Sequence, residues 1–527
     1  MKAYAIAASA LVLALLAPGS ADAQTTPRRG GTLNFAVNAE PPNYDCHANT
    51  SFAFIHPVAP HYSTLLKFDA PNYPKIIGDL AQSWQISSDG LTYTFKLHPN
   101  VKFHDGSPLT SADVKASYDR IINPPKGVTS IRQTAYEDVT SVEAPDPQTV
   151  VFKLKAPDPS MLANLASPWN CIYSAAKLKE DPEFPKKNIL GSGPFKFVEH
   201  VAGSHWIGVR NDDYFRKGLP YLDGYRAVFI KGAAIINALQ GGQVLAEFRG
   251  QTPAERDKLK AALGDKLTVQ ESPWVCNLIV GFNTEKKPFD DARVRRALSI
   301  AIDRWQGSEA LSKIAVVRGV GATLRPGYVL AASNEELEKM PGFSRDIAKS
   351  RAEAKKLLAE AGHPNLKFKF LNRNVPMPYT PVGVFLIDQW RQIGVTVEHE
   401  QLETRLYQAA LSSGNYEVGL DFNCDFMDEP NLQLLKYLSS DKSPINYGRY
   451  NDRKIDELYE QQKRATDPKK RAAILREIDM RVLTEAYTVP TIWWHRIIAH
   501  HSKLKGWEIT PSHYLNQDLA DVWLAAD

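Results

Sequence analysis

The chain is predicted to be a mixed α/β protein of several lobes, on three observations. Its 527 residues exceed what one hydrophobic core usually organises, so two or three lobes are expected. Before about residue 190, apolar and polar residues alternate with the period of two that marks half-buried strands. Later, apolar residues recur at helical spacing with strand-like stretches between them, the pattern of helices packed on sheet.

The first segment stands apart from the fold. MKAYAIAASALVLALLAPGSADAQ has Lys2, an apolar run from Ala3 to Ala17, and the small-x-small pattern Ala21-Asp22-Ala23. This predicts a cleaved signal peptide over 1–23, with Gln24 starting the mature chain. The run is short for a bilayer span, and no later segment reaches the ~18 apolar residues a spanning helix needs. The first cysteine, Cys46, lies far beyond the cleavage pattern, so no lipid-anchoring cysteine is expected at the mature terminus. An exported, unanchored protein fits the periplasm. Export also permits disulfides. Cys46, Cys171, Cys276 and Cys424 allow three pairings, among which the sequence does not choose.

Leu91, Tyr93, Phe95 and Leu97 alternate with polar residues after an Asp89-Gly90 turn, and Trp84 and Ile86 precede that turn, so a hairpin is expected. Val101 and Phe103 are expected to continue the sheet. His104-Asp105-Gly106 then reads as a bend with glycine at the position needing positive φ, not as an acid/base dyad. Thr110 and Asp113 form a capping box for a helix carrying Val114, Tyr118 and Ile121. A second strand carries Val150, Phe152 and Leu154, and GSGPFKF (191–197) is a glycine turn feeding a third. Farther on, Val294, Ala297, Leu298, Ala301 and Ile302 share one helical face. A second stripe runs from Ile347 to Ala361, with Ser344 as the candidate N-cap and Gly362 as the stop. Asp467-Pro468 caps a third helix. Strands are expected at Tyr416 to Phe426 and Thr491 to Ala499.

Composition and motifs argue against catalysis and nucleic acid. Net charge is +4, with 63 basic and 59 acidic residues spread along the chain, not gathered into the basic face a nucleic-acid binder needs. No phosphate loop, nucleophile elbow, H-E-x-x-H helix or clustered Cys/His set occurs. His495 and His500 would point to opposite faces of a strand, so a shared metal is not expected. No cofactor and no catalytic residue is predicted. Two segments do suit a ligand surface: YEVGLDFNCDF, which puts Asn423 and Asp425 on one face and Phe426 on the other, and PTIWWHRIIAHH, which separates Trp493 and His495 from Trp494 and Arg496. Aromatic rings beside a few polar groups are the makings of a binding pocket.

The stretch AQSWQISSDGLTYTFKLHPNVKFHDGSPLTSADV (81–114) closely resembles the signature region of family 5 extracytoplasmic solute-binding proteins, the dipeptide, oligopeptide and nickel-type components of ABC importers. The likeness continues in order through GSGPFKF, RNDDYFRKGLPYLDGY, GFNTEKKPFDDARVRRALSIAIDR, AEAKKLLAEAGHPN and YNDRKIDELYEQQKRATDPKKRAAILREID. The resemblance implies a periplasmic binding protein type II-like fold of two large lobes joined by a hinge, plus an inserted strand-rich domain. Lobe I would comprise 24–54, 186–282 and 491–527, the inserted domain II 55–185, and lobe III 283–490. It implies a periplasmic binding component, monomeric, that captures a small solute, peptide or peptide-like, and delivers it to an inner-membrane ABC permease. Peptide-binding relatives place an aspartate three residues before the acidic-Pro pair, here Glu429-Pro430, and that position is Phe426. Sugars, opines and metal chelates therefore stand as alternatives, with a periplasmic hydrolase far behind. The expected ligand-binding residues are Trp274, Asn423, Asp425, Phe426, Trp493, His495 and Arg496. Cys276 and Cys424, on segments that meet near the cleft, are the expected disulfide.

Overall fold

The computed structural model describes residues 26–425 and 427–526. The expected signal peptide and Phe426 lie outside the described residues. Three sheets organise the chain, each over its own core.

The first sheet has five strands in the order Ala246–Glu247, Thr32–Val37, Gly224–Phe229, His205–Arg210, Phe195–Val201. Strand Thr32–Val37 pairs in parallel with both neighbours, and the rest is antiparallel. Leu33, Phe35 and Val37 point alternately into a core shared with Trp206, Tyr225 and Phe248. Ile55, Val58, Tyr62, Trp169, Cys171 and Tyr173 also pack here, although the sequence placed them with the inserted body. The Cys46–Cys171 disulfide fixes both borders of that insertion to the first sheet.

The second sheet is an antiparallel four-stranded unit ordered Ala81–Ile86, Thr92–Leu97, Thr149–Leu154, Val139–Asp146. Tyr93, Phe95 and Leu97 meet Val150, Phe152 and Leu154 beneath helix Ser111–Ile122. That helix begins at a capping box in which the Thr110 N–H donates to Asp113 at 2.7 Å. Val101 and Phe103 are buried in this core but do not extend the sheet, because the chain makes one isolated bridge, Lys102 to Pro108, and curls back. Gly106 takes φ +88° at the curl. The His104 imidazole donates from Nε2 to the Gly193 carbonyl at 3.0 Å, and the Asp105 carboxylate accepts from the Ser107 N–H at 2.9 Å, so the two side chains serve separate turns.

The third sheet is ordered Val317–Gly319, Thr488–His501, Leu267–Phe282, Val418–Cys424, Lys367–Arg373, Thr396–Leu402. Helices Ala292–Ile300, Ile347–Glu360 and Tyr379–Arg391 bury their apolar stripes against one face. The helix expected to be capped by Ser344 is capped by Asp346 instead, whose carboxylate accepts from the Lys349 N–H at 3.0 Å. Ser344 caps the turn before it, and a carboxylate is the better partner for the positive end of the helix.

Two strands belong to more than one lobe. Leu267–Phe282 and Thr488–His501, of 16 and 14 residues, run antiparallel from the Leu267–His501 pair to the Gly281–Thr488 pair. Near one end Ile498 and Ala499 enter the cores around the first sheet, and at the other Leu278, Val280 and Val489 enter that of the third. The ladder slips between Pro273 and Asn277, where proline has no N–H to give. Such a slip bends and twists a ribbon locally, which makes this the hinge between the two large sheets. No helix among the described residues is long and apolar enough to cross a membrane.

Beside the hinge Cys276 lies opposite Cys424, and the two are bonded across a Cα separation of 4.1 Å. The bridge closes 148 residues of chain, for which loop entropy sets a ceiling of about 5 kcal/mol and engineered removals typically give 2–4 kcal/mol. The double variant Cys276→Ala/Cys424→Ala is therefore expected to lose about 2–4 kcal/mol in urea unfolding. A loss below about 1 kcal/mol contradicts the entropic account.

Candidate functional site

An aromatic wall crosses the hinge from one large sheet to the other. At its centre Trp274, on Leu267–Phe282, is 5% exposed and donates its indole N–H to His513 Nδ1 at 2.9 Å. Its ring meets Trp494 edge-on at 5.4 Å, Trp494 meets Tyr379 at 6.2 Å, and Tyr379 meets Phe422 at 6.3 Å. In the other direction His513 stacks on Tyr514 at 3.9 Å and approaches Phe52 at 6.2 Å, over which the Arg249 guanidinium lies at 4.7 Å. His513 must accept the indole N–H, so its imidazole is neutral at Nδ1. Burial, with the charges of Arg496 and Arg249 and the neighbouring His56, holds its pKa well below the ordinary value.

Charge gathers around Tyr514. Burial pushes its phenol up to about 12, while Arg249 and Arg132 pull it down and Asp425 pushes it up. Arg132 comes from the segment between the first two strands and the last two of the second sheet, its guanidinium 4.8 Å over the Trp169 ring and one N–H on the Asn49 carbonyl at 2.7 Å. The Asp425 N–H donates to the Val275 carbonyl at 3.1 Å, which holds this end of strand Val418–Cys424 against the hinge. Side chains from three parts of the chain thus surround one locus of apolar rings and a few charges, the usual composition of a small-molecule site.

Of the residues expected at the site, Trp274 stands in the wall and Asp425 beside it. Four others stand elsewhere. Trp493 is fully buried on the opposite face from Trp494, so close to Gly319 and Gly321 that a Cβ at either would come within 2.8–2.9 Å of its side chain. Asn423 is on that same far face, in register with Asn277 and Trp493 across three strands, and its amide donates to the Gln433 carbonyl at 2.8 Å. His495 pairs with Glu271 at 2.8 Å, away from the wall. Arg496 is buried beneath the wall, donating from Nε to the Arg249 carbonyl at 3.0 Å, from one Nη to the Thr510 carbonyl at 2.9 Å and from the other to the Phe248 carbonyl. Both faces of this sheet are covered, so strand alternation separated Trp493 from Trp494 without saying which faces the hinge. Phe52, Arg249, Tyr379 and Tyr514 carried no sequence signal, being brought together only by tertiary structure.

The remaining acids near Asp425 tie segments around the second sheet to segments that follow residue 320. The Asp428 N–H donates to the Tyr73 hydroxyl at 3.0 Å, and its carboxylate accepts from Arg325 at 2.8 Å. Glu429 accepts from the Ser160 hydroxyl and from Arg471, both at 2.6 Å. Arg464 and Lys463 pair with Asp138 and Glu137 along the same seam. Two cavities of about 610 and 560 Å³ flank these contacts, both lined by Asp158. Their sizes fall in the range of ligand pockets.

Residues 75–444 match the family described as bacterial extracellular solute-binding proteins, family 5 Middle. The chain is 29% identical over 475 residues to the glutathione-binding protein GsiB of Pectobacterium atrosepticum, covering 88% of each chain. It is 28% identical over 466 residues to heme-binding protein A of Haemophilus influenzae, covering 82% of each. Among solved structures, the ABC transporter-associated periplasmic binding protein DppA from Helicobacter pylori, in complex with the peptide STSA, superposes with a TM-score of 0.75 at 25% identity, over 94% of this chain and 98% of that one. Hinge, paired crossing strands and family match agree: the chain belongs to the family 5 bacterial extracellular solute-binding proteins.

Proposed function

We propose that this protein captures a small peptide-like solute between lobe I and lobe III in the periplasm and passes it, chemically unaltered, to an inner-membrane ABC permease. The observation that carries this is the aromatic wall built from both sides of a two-stranded hinge. A solute resting on Phe52 and Tyr514 on one side and on Tyr379 and Trp494 on the other contacts both lobes only when they are closed, so its binding energy favours closure. Moving a population from 1:99 to 99:1 closed takes about 5.5 kcal/mol of differential affinity, which fits within the roughly 8 kcal/mol of a micromolar complex. The similarity to a glutathione-binding protein and to a binding protein solved with a peptide favours the peptide-like class. The three cores support a division into lobe I, an inserted domain and lobe III, with the protein acting as a monomer.

Native mass spectrometry of protein from its own periplasm tests this proposal. The expected result is a bound solute of peptide-like mass, recovered intact after incubation, and consumption of that solute overturns it. Trp274 is expected to contribute through its buried ring. Trp274→Ala should weaken the binding of a pooled tripeptide library by more than about 1 kcal/mol, or over fivefold, and unchanged affinity in calorimetry removes Trp274 from the site.

A further inference from the structure

Arg249 is unusual among the cleft residues in what its guanidinium lacks. It is part-buried, and its Nε–H is enclosed without an acceptor. It forms no ion pair and donates no side-chain hydrogen bond among the described residues; its one close partner is the face of Phe52. The nearest carboxylate, Glu247, is engaged by the backbone, accepting the Arg249 and Gly250 N–H groups at 2.9 Å each. Arg496 adds a second buried cation directly below. Two guanidinium charges thus stand against one carboxylate, while His56 and His513 are held neutral by burial and by these same two arginines. Arg496 is satisfied by carbonyls. Arg249 is not.

An enclosed N–H without a partner destabilises the fold, and a buried charge short of counter-charge does so further. Such a cost persists where a partner arrives from outside. The loop that presents Arg249 is held from both sides, by Glu247 on its N–H groups and by Arg496 on its carbonyls. The side chain is therefore aimed, and its charge reaches the phenols of Tyr514 and, across the hinge, Tyr379. With Phe52 covering one face of the guanidinium, its edge is left for binding, and two parallel N–H groups along an edge match the two oxygens of a planar carboxylate.

We propose that Arg249 receives a carboxylate of the captured solute, making a free carboxyl group a requirement for tight binding. This rests on the peptide-like reading above and deepens it. The test compares two pools of tripeptides, identical except that one carries free C-terminal carboxylates and the other carboxamides, against wild type, Arg249→Gln and Arg249→Lys. The expected result is that wild type binds the free-acid pool at least tenfold tighter than the amide pool. Arg249→Gln should bind both pools equally weakly, and Arg249→Lys should recover part of the discrimination. Thermal unfolding separates this role from a structural one: Arg249→Gln removes a cation that makes no ion pair and no side-chain hydrogen bond among the described residues, so its Tm should equal or exceed that of wild type, and a Tm several degrees lower overturns the proposal. Equal binding of the two pools by wild type also overturns it while leaving the peptide-like reading intact. Binding of neither pool by wild type overturns both.

Discussion

Arg496→Met is expected to lower stability by about 3–5 kcal/mol and to shift the urea midpoint down without loss of export. The side chain is fully buried and carries the carbonyls of Phe248, Arg249 and Thr510 on one guanidinium. Burial pulls its pKa down to about 9, so it remains charged at neutral pH. Methionine fills much of the volume but leaves those carbonyls and the Glu247 charge without their cation, which is the costly way to break a buried ionic group. Arg496→Lys should recover little, because an ammonium on a single stem cannot reach three carbonyls in a fork. The loop that aims Arg249 is held by this fork, so solute affinity should fall with stability even though the Arg496 side chain is fully buried. A midpoint shift worth less than about 1 kcal/mol would falsify this structural role.

The second large effect is acid sensitivity. His47, His56 and His61 are each held to a pKa of about 3, first of all by burial. The folded state excludes a proton that each unfolded imidazole accepts below about pH 6.5. Their contribution is complete above pH 6.5 and is lost as pH falls toward 3. Each histidine then contributes a slope of about 1.4 kcal/mol per pH unit, or about 4 kcal/mol for the three together. Asp158 acts in the opposite sense. Burial raises its carboxyl to about 6, so the folded state keeps a proton that the unfolded chain releases above about 3.9. Its contribution is present below that value and is lost as pH rises through 6, which cancels one histidine between pH 4 and 6. A net slope of about 3 kcal/mol per unit remains there from these four groups, and a protein at the low end of the usual range of roughly 5–15 kcal/mol should unfold near pH 4–5. Circular dichroism across pH 7 to 4 measures this directly. Asp158→Asn should steepen the loss between pH 4 and 6, and a stability that stays flat down to pH 4.5 contradicts the assignment of these three histidines as buried and neutral.

Local structure was legible in the sequence because its causes are local. The alternation of Tyr93, Phe95 and Leu97, the Thr110–Asp113 capping box and the Asp467-Pro468 start each act within a few residues, and the strands and helices stand close to where those signals put them. Where neighbouring signals competed, the result moved by a turn: Asp346 displaced Ser344 as a cap, and the bend at Gly106 kept Val101 and Phe103 buried but out of the sheet. Trp274 and Asp425 lie on segments that the family resemblance places near the cleft, and both stand at or beside the aromatic wall. The rest of the wall was decided by tertiary structure alone. Phe52, Arg249, Tyr379 and Tyr514 come from distant parts of the chain and meet only when two sheets share a pair of crossing strands. Period-two alternation assigns Trp493 and Trp494 to opposite faces, but it cannot say which face meets the hinge when helices or loops bury both. Whether an arginine finds its counter-charge, as Arg325 does in Asp428 and Arg249 does not, depends on which distant segments pack beside it.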